Sequence, residues 1–498
     1  MKIVTREQMQ ELDRRAIAEK GIQESTLIER AGKAAADWIA RRYHGETHRV
    51  LALVGRGNNG ADAVVTSRRL RKMGFEVLVV KAWKKDALAQ VEKELCSPGE
   101  KSLLVLDGLF GTGLNRPIGE PFRSLVDLVR ALAADVVALD LPSGLDADSG
   151  KPFGTCIRAT HTLTFGLPKI GLVQEHAADD VGELHVLDIG FPSGLVDAIR
   201  TSYDLIDPPG VASIFTARAR TTHKGKLGHV LIVAGSVGFA GAGALAARAA
   251  LRAGAGLVSL AVPSSIYDAA SSLAGPEVMV HPCNDGGSGF FNLKSISRFK
   301  VLQRSASALV IGPGMGQHPD TRLVLEKLIE SGHVPMLLDA DALNLLAGRT
   351  SMLRQAKRDV VITPHPGEMA RLSSLTVRAV QQDRSGVAST FSQKHKVTVV
   401  LKGARTLVAH RAGHHALRFS INALAGNPGM ATAGCGDTLS GIIGALLVRG
   451  VGAADAARGG VFLHAKAGDI ALSPTGGGIA GDLIEALPHA MALLTRGA

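Results

Sequence analysis

Apolar residues are distributed along the chain in two recurring patterns. Continuous apolar runs at 50–54, 103–106 and 136–139 read as buried strands, and 76–80 reads as a second strand that completes a βαβ unit with the first. Segments with apolar residues at three- and four-residue spacing, such as 9–18 and 26–40, read as amphipathic helices, and a further helix runs to Met73. The second half repeats the pattern. Lys224-Gly225-Lys226-Leu227-Gly228 leads into a strand at 229–234, and further strands are predicted at 257–262, 308–311, 336–338, 360–362 and 397–401. An alanine-rich helix is expected to end at Ala253 and to pack close to its neighbours. Strands alternating with helices predict the α/β class, with mostly parallel sheets covered on both faces in two three-layer α/β/α domains. Asp207-Pro208-Pro209-Gly210 reads as a rigid, non-helical joint between residues 1–207 and 215–498. No internal repeat relates the halves.

Composition narrows the class. Apolar residues are 46% of the chain and aromatic residues only 4%, which suits a soluble α/β enzyme and excludes a disordered or fibrous one. The net charge of +11 does not come from a nucleic-acid stripe. Basic runs such as Arg68-Arg69-Leu70-Arg71-Lys72 are short and lack interleaved aromatics, so a solvated helix face and an anionic small-molecule substrate are expected, with no nucleic acid. Arg248 and Arg252 interrupt the apolar region after Phe239, so no membrane span is read. Cys96, Cys156, Cys283 and Cys435 form no close pair in sequence, which points away from disulfides and metal clusters. With no signal peptide read, a cytoplasmic location is expected.

The chemistry concentrates where strands end. Residues 426–447 form a Gly-rich loop running into an apolar helix, with Asp437 at the helix start. Helix starts present free N–H groups to anions. A carboxylate beside such a loop serves phosphoryl transfer, with N–H groups for the phosphoryl and a base for the hydroxyl proton. A plain helix cap is the other reading of Asp437. In the first half, Gly55-Arg56-Gly57-Asn58-Asn59-Gly60-Ala61-Asp62 follows a strand. It has the form G-x-G-x-x-G, but no acid ends the second strand as a dinucleotide fingerprint requires. Asp107 and Asp140 end two more strands, followed by Gly111-Thr112-Gly113-Leu114-Asn115-Arg116-Pro117 and by Leu141-Pro142-Ser143-Gly144. Asn59, Asp107 and Ser143 together offer an all-oxygen cation site. Each aspartate capping the next helix is the alternative.

These first-half motifs resemble the NAD(P)H-hydrate epimerase domain over residues 1–205. The resemblance implies substrate contacts at Asn58, Asn59, Gly60, Ala61 and Asp62, along Gly111–Pro117, and at Asp140. It also implies K⁺ on Asn59, Asp107 and Ser143, and Asp140 as the acid/base at the hydrated nicotinamide carbon. The family's loop usually reads GNNGGDG. Ala61 and Ala63 replace two of those glycines, and their methyls are expected to crowd the dinucleotide.

In the second half, polar loops follow the strands at Gly235-Ser236-Val237-Gly238-Phe239-Ala240-Gly241-Ala242, Gly312-Pro313-Gly314-Met315-Gly316 and Asp339-Ala340-Asp341. Two more are Thr363-Pro364-His365-Pro366-Gly367-Glu368 and Lys402-Gly403-Ala404-Arg405-Thr406. The last suits phosphate. His365, between two prolines, is read as a ligand contact, and Glu368 as either a contact or a helix cap. The set resembles the ADP/ATP-dependent NAD(P)H-hydrate dehydratases of the ribokinase-like superfamily over residues 215–495. It implies substrate contacts at Ala242, Gly314, His365 and Asp437, and nucleotide contacts at Lys402, Gly403, Ala404, Arg405, Thr406 and Gly436. Cys435 stands where the family commonly has threonine, a change expected to alter nucleotide affinity before catalysis.

Together the halves resemble a bifunctional repair enzyme with a Rossmann-like first domain and a ribokinase-like second. It would epimerise NADH hydrate and NADPH hydrate, then dehydrate the S form with ADP or ATP and Mg²⁺, acting as a homo-oligomer. A fused vitamin or sugar kinase and a nucleotide-sensing binding protein are the alternatives from other classes.

Overall fold

The computed structural model describes residues 1–43, 48–96, 102–132, 134–216, 221, 223, 227–412 and 416–496. Residues 224–226 of the expected glycine-lysine turn lie outside this set. The chain divides into two compact units, Met1–Leu205 and Ile206–Ala498. No helix among the described residues is long and apolar enough to cross a membrane.

The first unit carries a six-stranded parallel sheet: β1 (His48–Val54), β2 (Glu76–Lys81), β3 (Ser102–Gly108), β4 (Asp135–Leu139), β5 (His161–Phe165) and β6 (Glu183–Leu187). Their order is β2-β1-β3-β4-β5-β6. Strand order reverses between β1 and β3, and the crevice outside the carboxyl ends at such a switch point is where open α/β sheets bind ligands. A short β7 (Tyr203–Leu205) ends the unit, with Asp204 bridging back to Lys2. Two helices, Arg6–Lys20 and Glu24–Arg42, precede the sheet. A Thr5–Gln8 capping box starts the first, and Gly21 at φ +65° stops it, a conformation glycine adopts without a Cβ penalty. The sequence pattern misses β5 and β6. Strand β5 reads HTLTF, mixing polar and apolar residues, yet all five are buried. Its polar atoms are satisfied internally: Thr162 Oγ1 donates to the Val181 carbonyl at 2.6 Å.

The second unit holds β8 (His229–Val233), β9 (Leu257–Pro263), β10 (Met279–Cys283), β11 (Ala308–Ile311), β12 (Met336–Leu338), β13 (Val360–Ile362), β14 (Thr398–Leu401), β15 (Leu407–Ala412) and β16 (Ala416–Ile421). They run in the order β10-β9-β8-β11-β12-β13-β14-β15-β16. The sheet is parallel up to β14 and antiparallel across β14-β15-β16. Strand β10 and the β15–β16 pair carry too many polar residues to stand out as apolar runs.

The expected non-helical joint is corrected. Residues Pro208–Ala212 form a short helix whose N-cap Asp207 accepts from the Gly210 N–H at 2.9 Å. Proline is tolerated in a first turn, because its missing N–H would have no helical partner there. The alanine-rich helix Ala240–Arg252 packs on the helix Cys435–Val448 almost backbone to backbone. A Cβ added at Gly441 would meet the Ala246 carbonyl oxygen at 2.1 Å. That contact fixes the helix on which Asp437 rides.

Candidate functional sites

A cavity of about 950 Å³ opens at the carboxyl ends of the first unit's strands. Asn58, Asn59, Asp62, Asp140 and the loop Gly111–Arg116 line it. Gly60, Ala61 and Pro117 do not. Gly60 instead lies against Gly55, where an added Cβ would be 2.0 Å from the Gly55 carbonyl oxygen. Ala63 is fully buried facing Gly108, and an added Cβ there would be 2.4 Å from the Ala63 methyl. Neither alanine methyl reaches the cavity wall, so the expected crowding has no counterpart in this geometry.

Asp140 follows β4 with φ +63°, a left-handed conformation that a non-glycine residue holds only when its surroundings enforce it. Its Oδ1 accepts from the fully buried Lys169 Nζ at 2.5 Å. The same ammonium donates to Thr164 Oγ1 at 3.0 Å and to the Phe165 carbonyl at 3.2 Å, which uses all three of its protons. Two further carboxyls face this pair. Burial first, then the nearby Asp140 and Asp13 carboxylates, push the Asp62 pKa up to about 8. Burial likewise raises Asp13 to about 6, against the opposing pull of Lys169.

Asp107 and Ser143 are buried behind the cavity wall. Asp107 accepts from Ser143 Oγ at 2.6 Å, from the Ser143 N–H at 2.8 Å and from the Leu109 N–H at 3.2 Å. Burial still raises its pKa to about 6. Asn59 Nδ2 donates to the Phe110 carbonyl at 2.9 Å, while Asn59 Oδ1 is buried with no partner among the described residues. Asn59 and Ser143 both donate to the Phe110 carbonyl, and Ser143 also bonds Asp107, so an orphaned amide oxygen, a hydroxyl and a carboxylate gather around Phe110, a donor set that fits a hard cation.

In the second unit Asp437 is the third residue of the helix Cys435–Val448. Gly434, at φ +88°, holds the cap position, and no side-chain hydrogen bond caps the helix. The plain-cap reading of Asp437 therefore has no bond to support it. Burial, with the Asp339, Asp341 and Glu368 carboxylates, raises its pKa to about 7, against the pull of Lys402. Lys402 Nζ donates to Asp339 Oδ1 at 2.8 Å and lies 3.7 Å from Glu368 Oε2. It also sits 3.6 Å from where a Gly436 Cβ would be. Burial alone would lower the Lys402 pKa, but the surrounding carboxylates hold it above its ordinary value. Asp339 Oδ2 accepts from Ser440 Oγ at 2.6 Å, tying the cluster to the same helix.

His365 caps the helix Pro366–Ser373. Its Nδ1 accepts from the Gly367 N–H at 3.0 Å, and Glu368 reaches back to the His365 N–H at 2.7 Å. Both residues thus have capping roles, and the half-exposed imidazole has its Nε2 3.4 Å from Glu368 Oε1. Burial first, then Lys402, raises and lowers the Glu368 pKa respectively, leaving it at about 7. Gly314, at φ +58°, sits against Ala242, with 2.9 Å between an added Cβ and the Ala242 methyl. The Lys402–Thr406 loop is divided. Arg405 turns inward to donate to the Ala423 carbonyl, and Thr406 Oγ1 donates to the Gly403 carbonyl at 3.0 Å.

Lys169 and Asp13 carry no motif in the sequence. Lys169 acquires meaning only when β5 brings it beside Asp140, 29 residues away. Asp13 borders the apolar stripe Met9, Leu12 and Ala16 of its helix, a weak signal for a carboxyl facing a cavity.

Two family models match this chain: NAD(P)H-hydrate dehydratase over residues 230–488, and YjeF-related protein N-terminus over 24–171. The bifunctional NAD(P)H-hydrate repair enzyme Nnr of Moorella thermoacetica is 38% identical, with 99% of this chain and 97% of that protein covered. Its counterpart in Escherichia coli is 37% identical, over 93% of this chain and 88% of that protein. Among solved structures, the ADP/ATP-dependent NAD(P)H-hydrate dehydratase from Bacillus subtilis, co-crystallized with ATP/Mg²⁺, is similar at a TM-score of 0.50 and 25% identity. That likeness covers 59% of this chain and all of that one.

Proposed function

The chain belongs to the family of bifunctional NAD(P)H-hydrate repair enzymes, and from that premise we propose how its two units divide the reaction. The first unit exchanges the R and S epimers at C6 of NADH hydrate and NADPH hydrate. The second restores NADH or NADPH from the S epimer at the expense of ADP or ATP.

In the first unit Asp140 moves the proton at the hydrated carbon, and Lys169 holds its carboxylate in place. The cavity lined by Asn58, Asn59, Asp62 and the 111–116 loop takes the nicotinamide half of the dinucleotide. Asn59 Oδ1, Asp107 and Ser143 would hold K⁺, which would supply a fixed positive charge to the site.

In the second unit the first-turn N–H groups of Gly436 and Asp437 receive the transferring phosphoryl group. Lys402 faces the same point from the opposite loop. Asp437 accepts the proton of the C6 hydroxyl as its oxygen bonds to the terminal phosphorus and the nucleotide leaves. The C6–O bond then breaks with loss of the C5 proton, phosphate departs and the C5–C6 double bond returns. Mg²⁺ would supply charge neutralisation at the phosphates. Asp339 and Glu368 are the nearby carboxylates of the kind it takes. Cytoplasmic location and a homo-oligomeric state complete the reading.

The observation that carries this reading is the convergence of Asp437, Lys402 and the Gly434–Gly436 turn on one point. Asp437→Asn tests it. Dehydration is expected to fall ~10²–10⁴-fold with ADP or ATP binding retained. Near wild-type restoration of NADH by this variant would remove Asp437 from the chemistry.

A further inference from the structure

Three side chains at the amino ends of β5 and β6 have no part in either reaction. In the register of this parallel pair His161 lies opposite Glu183, and His185 follows two residues along β6. Residues two apart on a strand share a face, so the sheet itself gathers the three side chains without any loop. His161 Nδ1 and His185 Nε2 are 3.4 Å apart. Glu183 Oε2 lies 3.3 Å from the first and 3.7 Å from the second. Three lone-pair donors thus form a nearly equilateral triangle.

The size of that triangle is selective. Bonds of about 2.0–2.2 Å in a tetrahedron set ligand atoms roughly 3.3–3.6 Å apart, which is the zinc geometry. Octahedral Mg²⁺, with bonds of about 2.1 Å, needs edges of roughly 3.0 Å, and two imidazole nitrogens do not suit Ca²⁺. Trp38 backs the triangle, its ring 5.0 Å from the His161 ring and 4.5 Å from the His185 ring, which restrains both imidazoles. His161 is buried, while Glu183 is exposed and His185 is half-buried, so an ion can enter from solvent and keep a fourth position for water.

We propose that His161, Glu183 and His185 form a binding site for a zinc-class divalent ion, clamping β5 to β6. The cavity lies at the other end of the same strands, where Phe165 closes β5. The ion therefore stabilises the first unit and takes no part in epimer exchange.

The test is equilibrium dialysis of the metal-stripped full chain against Zn²⁺, comparing wild type with Glu183→Gln and His185→Gln. Both positions reach solvent, so both variants should fold, and circular dichroism confirms it. Each is expected to lose one bound equivalent or weaken that site's Kd at least ~100-fold, more than loss of an outer-shell partner costs. Co²⁺ should give wild type an intense tetrahedral absorption band that both variants lack. Zn²⁺ should raise the Tm of wild type only. Equal Zn²⁺ stoichiometry and equal Co²⁺ spectra in all three proteins, or no Zn²⁺ retained by wild type, would overturn the proposal.

Discussion

Asp437 and Lys402 oppose each other. Burial and neighbouring carboxylates raise the Asp437 pKa to about 7, and Lys402 holds it from going higher. A base acts ionised, so the dehydration rate should climb with pH through about 7 and level off above it. Lys402→Met removes the cation and should shift this limb upward by roughly one pH unit or more. An unmoved limb in a pH–rate profile would separate Lys402 from the base. Asp62 offers a second titration, this time in stability. Its pKa is raised from 3.8 to about 8, so the unfolded chain ionises first, and the group's stabilising contribution drains away as pH rises between those values. Asp62→Asn cannot titrate. Its Tm relative to wild type should therefore improve between pH 5 and pH 8.5, by roughly 2–4 °C per kcal/mol recovered. A Tm difference that stayed constant with pH would contradict the raised carboxyl.

The helix Cys435–Val448 is positioned by its contact with Ala240–Arg252, and Gly441 is the narrowest point of that contact. Gly441→Ala forces a methyl against the Ala246 carbonyl. It should cost about 1–3 kcal/mol in denaturant unfolding and lower the dehydration rate, because Asp437 moves with its helix. Unchanged stability would show that the two helices have slack. Much at this scale was legible in the sequence. The buried runs at 308–311, 336–338 and 360–362 are strands to the residue, and the loops after them hold Gly314, Asp339 and His365 as expected. Legibility failed where polarity is reconciled only by tertiary partners. Strand β5 hides its threonines in hydrogen bonds, and the Asp207–Gly210 stretch becomes a capped turn of helix. Lys169 is silent in the sequence for the same reason, since its partner is fixed by sheet order and not by spacing. At Arg405 the sequence shows a basic residue in a phosphate-like loop but not that its guanidinium bonds the Ala423 carbonyl, a partner set by the fold.

Across the whole molecule, each unit has its own carboxylate at its own strand ends, so the two reactions should be separable by single substitutions. Asp140→Asn keeps the hydrogen-bonding shape beside Lys169 but cannot cycle a proton. Asp437→Asn should still equilibrate the epimers while restoring no NADH. Mixing the two variants should recover full repair, because the freed S epimer can diffuse from one protein to the other. The most direct measurement follows NADH absorbance when an R/S mixture of NADH hydrate is given Mg²⁺, ADP or ATP, and Asp140→Asn. The account predicts a prompt rise equal to the S fraction, then only slow spontaneous recovery, until Asp437→Asn is added and the rise resumes. Consumption of both epimers at the wild-type rate by Asp140→Asn alone, or of neither in a folded protein, would contradict it.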